Sequence, residues 1–324
     1  MNKILKSATI AAMTAIATVS SAFAVEWQMP TPYAEAHFHT RNIQMFADEV
    51  KEKTNGELVI VVHPNGSLFE MPEIKRAVQQ GLVPIGEINF GAYANENPYF
   101  AVDTIPFLAT SYDKAHMLWD LTRPKIAALL DGQNIMPLYS VPFPPMGLIS
   151  KEPFTDISKF KGMRFRSFGK NASRFGEIVE AVPTVIQASE VAQAFSLGTV
   201  DAMLTSASTG VATQAWDYAG YFAELGMAHA KNLVIVNKDA FNGLSEATRK
   251  IIIEAAQNAE KRGWEFSEEE GKTTSAKLRE AGMTVEKPSP EFAAQLREVG
   301  NQMSREWAAG VGPDGEAIVN EMTK

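Results

Sequence analysis

Arg164 and Arg166 stand two residues apart in KGMRFRSFG (161–169), a stretch whose apolar residues alternate as they do in a β-strand. Strand residues two apart share a face of the sheet, so the two guanidiniums project side by side. Each must reach solvent, a protein carboxylate, or an anion that is not part of the protein. A guanidinium is well suited to the last role, because it donates two parallel hydrogen bonds to a carboxylate and keeps its proton. The pattern by itself leaves all three destinations open. His37-Phe38-His39 places two imidazoles two residues apart, a spacing that lets a strand share a metal. Here they fall where a helix begins, and there they diverge. No HExxH motif, cysteine or third nearby histidine supports zinc, so both read as surface or cleft-rim histidines. GxSxG, P-loop and glycine-rich dinucleotide motifs are absent. A hydrolase or isomerase using His37 or His39 as base would lack a nucleophile motif. No metal and no cofactor is expected, and Glu268-Glu269-Glu270 reads as a solvated helix face.

These residues sit in a chain built for export. Lys3 and Lys6 open it, an apolar run follows, and Ala22-Phe23-Ala24 fits a small-x-small cleavage site. Residues 1–24 therefore read as a secretory signal peptide, too short in its apolar part to span a membrane. The sequence holds 30 basic and 38 acidic residues. Without Lys3 and Lys6 the basic count is 28, a net charge of about −10, with no basic stripe to follow a phosphate backbone. Nucleic acid is excluded as a partner on that ground. With no cysteine in its 324 residues, the chain must rely on a large core rather than on disulfides. A bacterial periplasm is the expected compartment, with free diffusion, since the leader carries no lipobox cysteine.

The elements that must position the arginines alternate. HTRNIQMFADEVKEKTNG (39–56) reads as an amphipathic helix with Ile43, Phe46 and Val50 on one face, and ELVIVVHP (57–64) as a buried strand. MPEIKRAVQQG gives a second helix and VPIGEINFGAY a second strand; residues 134–150 are apolar, extended and proline-broken. TDISKF turns into the strand of Arg164 and Arg166, followed by helix ASRFGEIVEA, strand PTVIQ, helix ASEVAQAFSLG and strand TVDAMLTS. AKNLVIVNKDAF adds another strand, and residues 245–282 form a long, largely polar helix of the kind that braces two lobes. The order predicts an α/β fold with mostly parallel strands, arranged as two lobes with a cleft between them.

FADEVKEKTNGELVIVVHPNGSL, AVQQGLVPIGEINF, DTIPFL, FKGMRFR, GTVDAM and VNKDAFNGLSEATRKIIIEAA, in this order and spacing, resemble the solute-binding subunits of tripartite ATP-independent periplasmic (TRAP) transporters. The match runs essentially end to end. The resemblance implies a two-lobed binding protein, not an enzyme, which hands a small organic acid to membrane permease subunits; a monomer is expected. It implies lobes of residues 25–143 with 232–271, and 144–231 with 272–324. A ligand-presenting protein for a sensor kinase is the alternative that would use the same cleft.

The resemblance also assigns Arg166 as the ligand's carboxylate grip and leaves Arg164 a solvated or lobe-stabilising charge. Sugar-acid binders of the family often carry a second arginine about twenty residues upstream, where this chain has Met146. Thr205 and Ser206 stand after the VDA turn in place of a larger amide, and Asn89, followed by Phe90, replaces a common glutamate. Tyr33, His37, Phe168 and Trp216 complete the expected contacts, and Met227 lies near them. One formal positive charge among apolar residues suits a monocarboxylate with an apolar or aromatic body, benzoate-like or mandelate-like. A short aliphatic 2-oxo or 2-hydroxy acid, or a sugar acid, is the second expectation.

Overall fold

The computed structural model describes residues 24–324, so the expected leader, apart from Ala24, lies outside the described residues. The chain opens with β1 (Val25–Pro30), α1 (Phe38–Lys53), β2 (Leu58–His63), α2 (Met71–Gln79) and β3 (Ile85–Asn89). α3 (Tyr112–Asp131) leads into β4 (Ile135–Pro142) and β5 (Met146–Ser150). The middle runs through β6 (Arg164–Ser167), α4 (Lys170–Ile178), β7 (Val182–Val185), α5 (Val191–Ser196), β8 (Ala202–Ser206), α6 (Ala207–Ala212) and β9 (Tyr221–Ala223). β10 (Lys231–Asn237), α7 (Lys238–Asn242), α8 (Glu246–Glu280), β11 (Thr284–Glu286), α9 (Pro290–Val311) and α10 (Pro313–Met322) complete it.

The helix starts follow from local hydrogen bonding. Ser245 Oγ accepts from Thr248 N at 3.1 Å and starts α8, while His37 Nδ1 accepts from His39 N at 3.3 Å and starts α1. Three sheets result: β1–β2, β3-β10-β4, and the six-stranded β11-β9-β5-β8-β6-β7. The expectation of mostly parallel strands is corrected here. β10 runs antiparallel to both β3 and β4, and β5 antiparallel to both β8 and β9. Parallel pairing survives at β1–β2, β6–β7, β6–β8 and β9–β11. Alternating helices and strands give parallel neighbours only while successive strands stay in one sheet. This chain changes sheet between β2 and β3, between β4 and β5, between β9 and β10, and between β10 and β11.

Two lobes arise from those crossings, and α8 spans both. Asn42 Nδ2 on α1 donates to Ala259 O at 2.9 Å, and Trp264 Nε1 donates to Ser140 O on β4 at 3.0 Å. Between them a side chain at Gly263 would sit 2.3 Å from Val141 Cγ2, so only glycine allows this approach. Toward its end α8 packs on α6 and β11 of the other lobe. α9 ties the lobes a second time: Glu306 accepts from Arg174 Nε and Nη2 at 2.9 and 2.8 Å, and Trp307 Nε1 donates to Pro98 O at 2.7 Å. Among the described residues no helix is long and apolar enough to cross a membrane.

Candidate functional site

The two arginines of β6 have different destinations. Arg164 is exposed and grips Asp201 through two bonds, Nε to Oδ2 at 2.7 Å and Nη2 to Oδ1 at 2.8 Å. Arg166 is only 5% exposed. Its Nε donates to Ile186 O at 2.9 Å, and its guanidinium carbon lies 5.3 Å from the centre of the Phe168 ring. Among the described residues no carboxylate pairs with it, and its Nη1–Nη2 edge has no protein acceptor. Burial pushes its pKa down to about 10, a shift that Tyr33 and Tyr218 oppose. A buried cation without a counter-ion is costly, and its retention marks a site for an anion.

That edge opens on a cavity of about 50 Å³ between the lobes. Seven of the expected contacts line it: Tyr33, Asn89, Met146, Arg166, Phe168, Thr205 and Ser206. They arrive from the loop after β1, the end of β3, the start of β5 and the ends of β6 and β8. Ligands of open α/β sheets lie beyond the carboxyl ends of strands, and β3, β6 and β8 are presented in that way. Met71, Phe143, Ala188, Thr209 and Ala230 close the remaining wall.

The polar wall is tightly bonded. Tyr33 Oη donates to Asn232 Oδ1 at 3.2 Å, and Asn89 Nδ2 donates to the same atom at 3.1 Å. Burial lifts the Tyr33 phenol above its usual range, so it keeps its proton. Ser206 Oγ accepts from Thr209 N at 3.3 Å and lies 2.9 Å from Ser208 Oγ. The walls are otherwise apolar, with Phe143, Met146 and Phe168 facing the guanidinium's compartment.

Three expected contacts, Phe90, Trp216 and His37, do not line the cavity. Phe90 stacks on Phe100 at 5.8 Å and packs against Trp119, in the core. Trp216 packs against the cluster formed by Ile149, Phe195 and Phe222. Met227, expected near the contacts rather than among them, is buried core, and its backbone N–H donates to Met146 O at 3.0 Å. His37 stacks on Tyr33 at 4.8 Å but does not line the cavity. The reading of His37 and His39 as diverging surface or rim groups is corrected: both are buried, with rings 5.4 Å apart and within 7° of parallel. Tyr33, Phe38 and Phe143 pack around them and hold that geometry. Burial lowers the His37 pKa well below the usual value, so it is neutral. Among the described residues searched, no group of three or more possible metal ligands occurs.

A larger crevice of about 740 Å³ adjoins Phe168 on its other side, between α4 and α9. Arg174 there is paired with Glu306, and Lys170, which also lines the crevice, is exposed, so the crevice holds no buried, unpaired cation of the Arg166 kind. The chemistry belongs to the smaller space.

Comparison with known proteins identifies the family of the chain. The description of bacterial extracellular solute-binding protein, family 7, fits residues 31–310. The extracytoplasmic solute receptor DctP7 of Bordetella pertussis, described as binding pyroglutamic acid, is 40% identical with a TM-score of 0.90, covering 93% of this chain and 100% of its own. A TRAP solute-binding protein from a marine metagenome, described as specific for pyroglutamate, is 36% identical with the same TM-score, covering 93% of this chain and 99% of its own. The C4-dicarboxylate-binding periplasmic protein of Rhodobacter capsulatus is 25% identical, over 85% of this chain and 84% of that one. The chain belongs to family 7 of the bacterial extracellular solute-binding proteins, the solute receptors of TRAP transporters.

Proposed function

We propose that the protein captures a compact monocarboxylate outside the cytoplasm and delivers it to a membrane permease, and that this ligand is pyroglutamate. One observation carries the reading: a single buried guanidinium, without a counter-ion, faces a small and mostly apolar cavity. Arg166 takes the carboxylate on its Nη edge, while Met146, Phe143 and Phe168 enclose the body of the ligand. Tyr33, Asn89, Thr205 and Ser206 supply polar contacts. A second carboxylate would meet Met146 rather than a cation, and an unpaired buried charge is costly. The likeness to receptors described as binding pyroglutamate supports the choice of a small ring with one carboxylate and one amide. The acidic chain, the leader and the lack of cysteine support a periplasmic location.

The two phenylalanines favour a second reading, a benzoate-like or mandelate-like acid whose ring stacks on Phe168. Titration calorimetry on protein lacking residues 1–24 separates the two. Pyroglutamate is expected to bind at one site, with mandelate and succinate at least about tenfold weaker, a difference of ~1.4 kcal/mol. Tight succinate binding without a response to pyroglutamate would refute the single-cation reading. Tighter binding of mandelate would select the aromatic one.

A further inference from the structure

The polar wall of the cavity is anchored to a carboxylate that does not reach it. Glu87, in the middle of β3, is 2% exposed and forms no part of the cavity lining. Thr31 Oγ1 donates to its Oε2 at 2.5 Å and Asn232 Nδ2 to its Oε1 at 2.8 Å, with His39 Nδ1 3.3 Å from the same Oε1. A carboxylate only accepts. It therefore holds Asn232 with the amide nitrogen toward β3 and Oδ1 toward Tyr33 and Asn89, because the flipped amide would set two oxygens 2.8 Å apart.

The consequence passes to both residues that reach the cavity. Tyr33 has one proton, and it is committed to Asn232 Oδ1, so its oxygen can only accept from anything in the cavity. Asn89 is fixed at both ends. Its Oδ1 accepts from Gly91 N at 3.1 Å, and one N–H is held by Asn232 Oδ1. Its remaining N–H can only donate. An acceptor and a donor thus stand side by side, both resting on one oxygen.

We propose that Glu87, acting through Asn232, sets the hydrogen-bond polarity of the cavity so that it reads the adjacent N–H and C=O of a ring amide. In a lactam the two groups are cis and point the same way, so the N–H meets Tyr33 Oη and the C=O meets Asn89 Nδ2. Glu87 is a positioning residue: it touches no ligand and determines which ligand polarity fits. The inference rests on the reading of Arg166 as the carboxylate grip and names what selects among compact acids. A site built around committed polar groups rejects an isostere that lacks the matching groups, because its own groups are left unpaired.

The test is the ratio of affinities for pyroglutamate and cyclopentanecarboxylate, which keeps the ring and the carboxylate and lacks the amide. Titration calorimetry on protein lacking residues 1–24 should give a preference for pyroglutamate of at least ~100-fold. Glu87→Gln keeps the shape but can donate, so Asn232 is free to flip. The preference should fall to about tenfold or less, through weaker pyroglutamate binding, with cyclopentanecarboxylate within about threefold of its original affinity. Asn232→Ala cuts the same relay and serves if Glu87→Gln does not fold. Tyr33→Phe should weaken pyroglutamate about tenfold more than it weakens the carbocycle. An unchanged preference in Glu87→Gln or Asn232→Ala overturns the proposal, as does an equal loss of both ligands, which would mark a packing role. Wild-type protein that binds both acids equally overturns it while the Arg166 reading stands. Failure of both acids to bind overturns that reading, and this one with it.

Discussion

Replacing Arg166 by methionine should separate folding from binding. With the lobes arranged as described the guanidinium is buried without a protein counter-ion, and burial lowers its pKa to about 10. A tenfold change in proton affinity is worth ~1.4 kcal/mol, so the buried charge weakens the fold by about 3 kcal/mol. The unfolded chain holds this proton more tightly, so the penalty is complete at neutral pH and fades only as pH rises above about 10. Methionine fills much of the space and carries no charge. It loses the bond to Ile186 O, which returns ~1–2 kcal/mol of the gain. Measured without ligand, Arg166→Met should therefore be more stable than the parent by up to about 1–2 kcal/mol, a rise of as much as a few degrees in Tm. Affinity for the acid should fall by ~2–5 kcal/mol, about 30-fold to several thousand-fold. Arg166→Lys keeps the charge without the fork and should lie between. Arg164→Ala removes an exposed pair with Asp201 and should change affinity little. Thermal unfolding with and without ligand, and calorimetry on the same variants, measure both effects. A fall of several degrees in Arg166→Met with affinity retained would refute the reasoning, because it would make Arg166 a structural group.

Gly169→Ala should impair closure of the lobes. A Cβ there would lie 2.5 Å from Gly91 O, and Gly91 follows β3 on the opposite side of the cleft. The clash is with backbone and costs about 1–3 kcal/mol, or roughly 5-fold to 150-fold in affinity, and small-angle scattering should lose the ligand-induced compaction expected of the parent protein. Normal compaction and affinity would count against the closing contact. His229 supplies a pH effect: burial lowers its pKa to about 4, with Nδ1 held 3.1 Å from Phe143 O. The unfolded chain takes up this proton as pH falls below about 6.5 and the folded protein does not, so stability is lost toward pH 4. His229→Gln should lose about 2–3 kcal/mol less than the parent between pH 7 and pH 4.5 by urea unfolding; parallel losses would place the acid sensitivity elsewhere.

The period-2 pattern of RFRS located β6 and the shared face of its arginines, yet only tertiary structure separates them. Arg164 meets Asp201 from the turn before β8, a contact set by strand register. The same period carried a signal that the expected contacts overrode: Asn89 and Phe90 are successive, and an extended chain turns successive side chains to opposite sides. Asn89 faces the cavity and Phe90 the core. Phe143 lies three residues before Met146 in the proline-broken stretch, but no local pattern says that this segment crosses between lobes. Met71, Ala188, Thr209 and Ala230 reach the wall through long-range packing, which local periodicity does not encode. The antiparallel β10 was illegible for the same reason, since its strand pattern does not specify its neighbours. Glu87 carried no sequence signal at all: a lone acid in an apolar strand becomes informative only once Thr31, His39 and Asn232 are seen around it.

A crystal structure of protein lacking residues 1–24, grown with pyroglutamate, tests the central claim most directly. The account predicts the carboxylate on the Nη1 and Nη2 edge of Arg166, the ring against Phe168 and Met146, and the amide beside Tyr33 and Asn89. Pyroglutamate bound instead in the crevice beside Arg174 and Trp307, or in the cleft with its carboxylate away from Arg166, would contradict it.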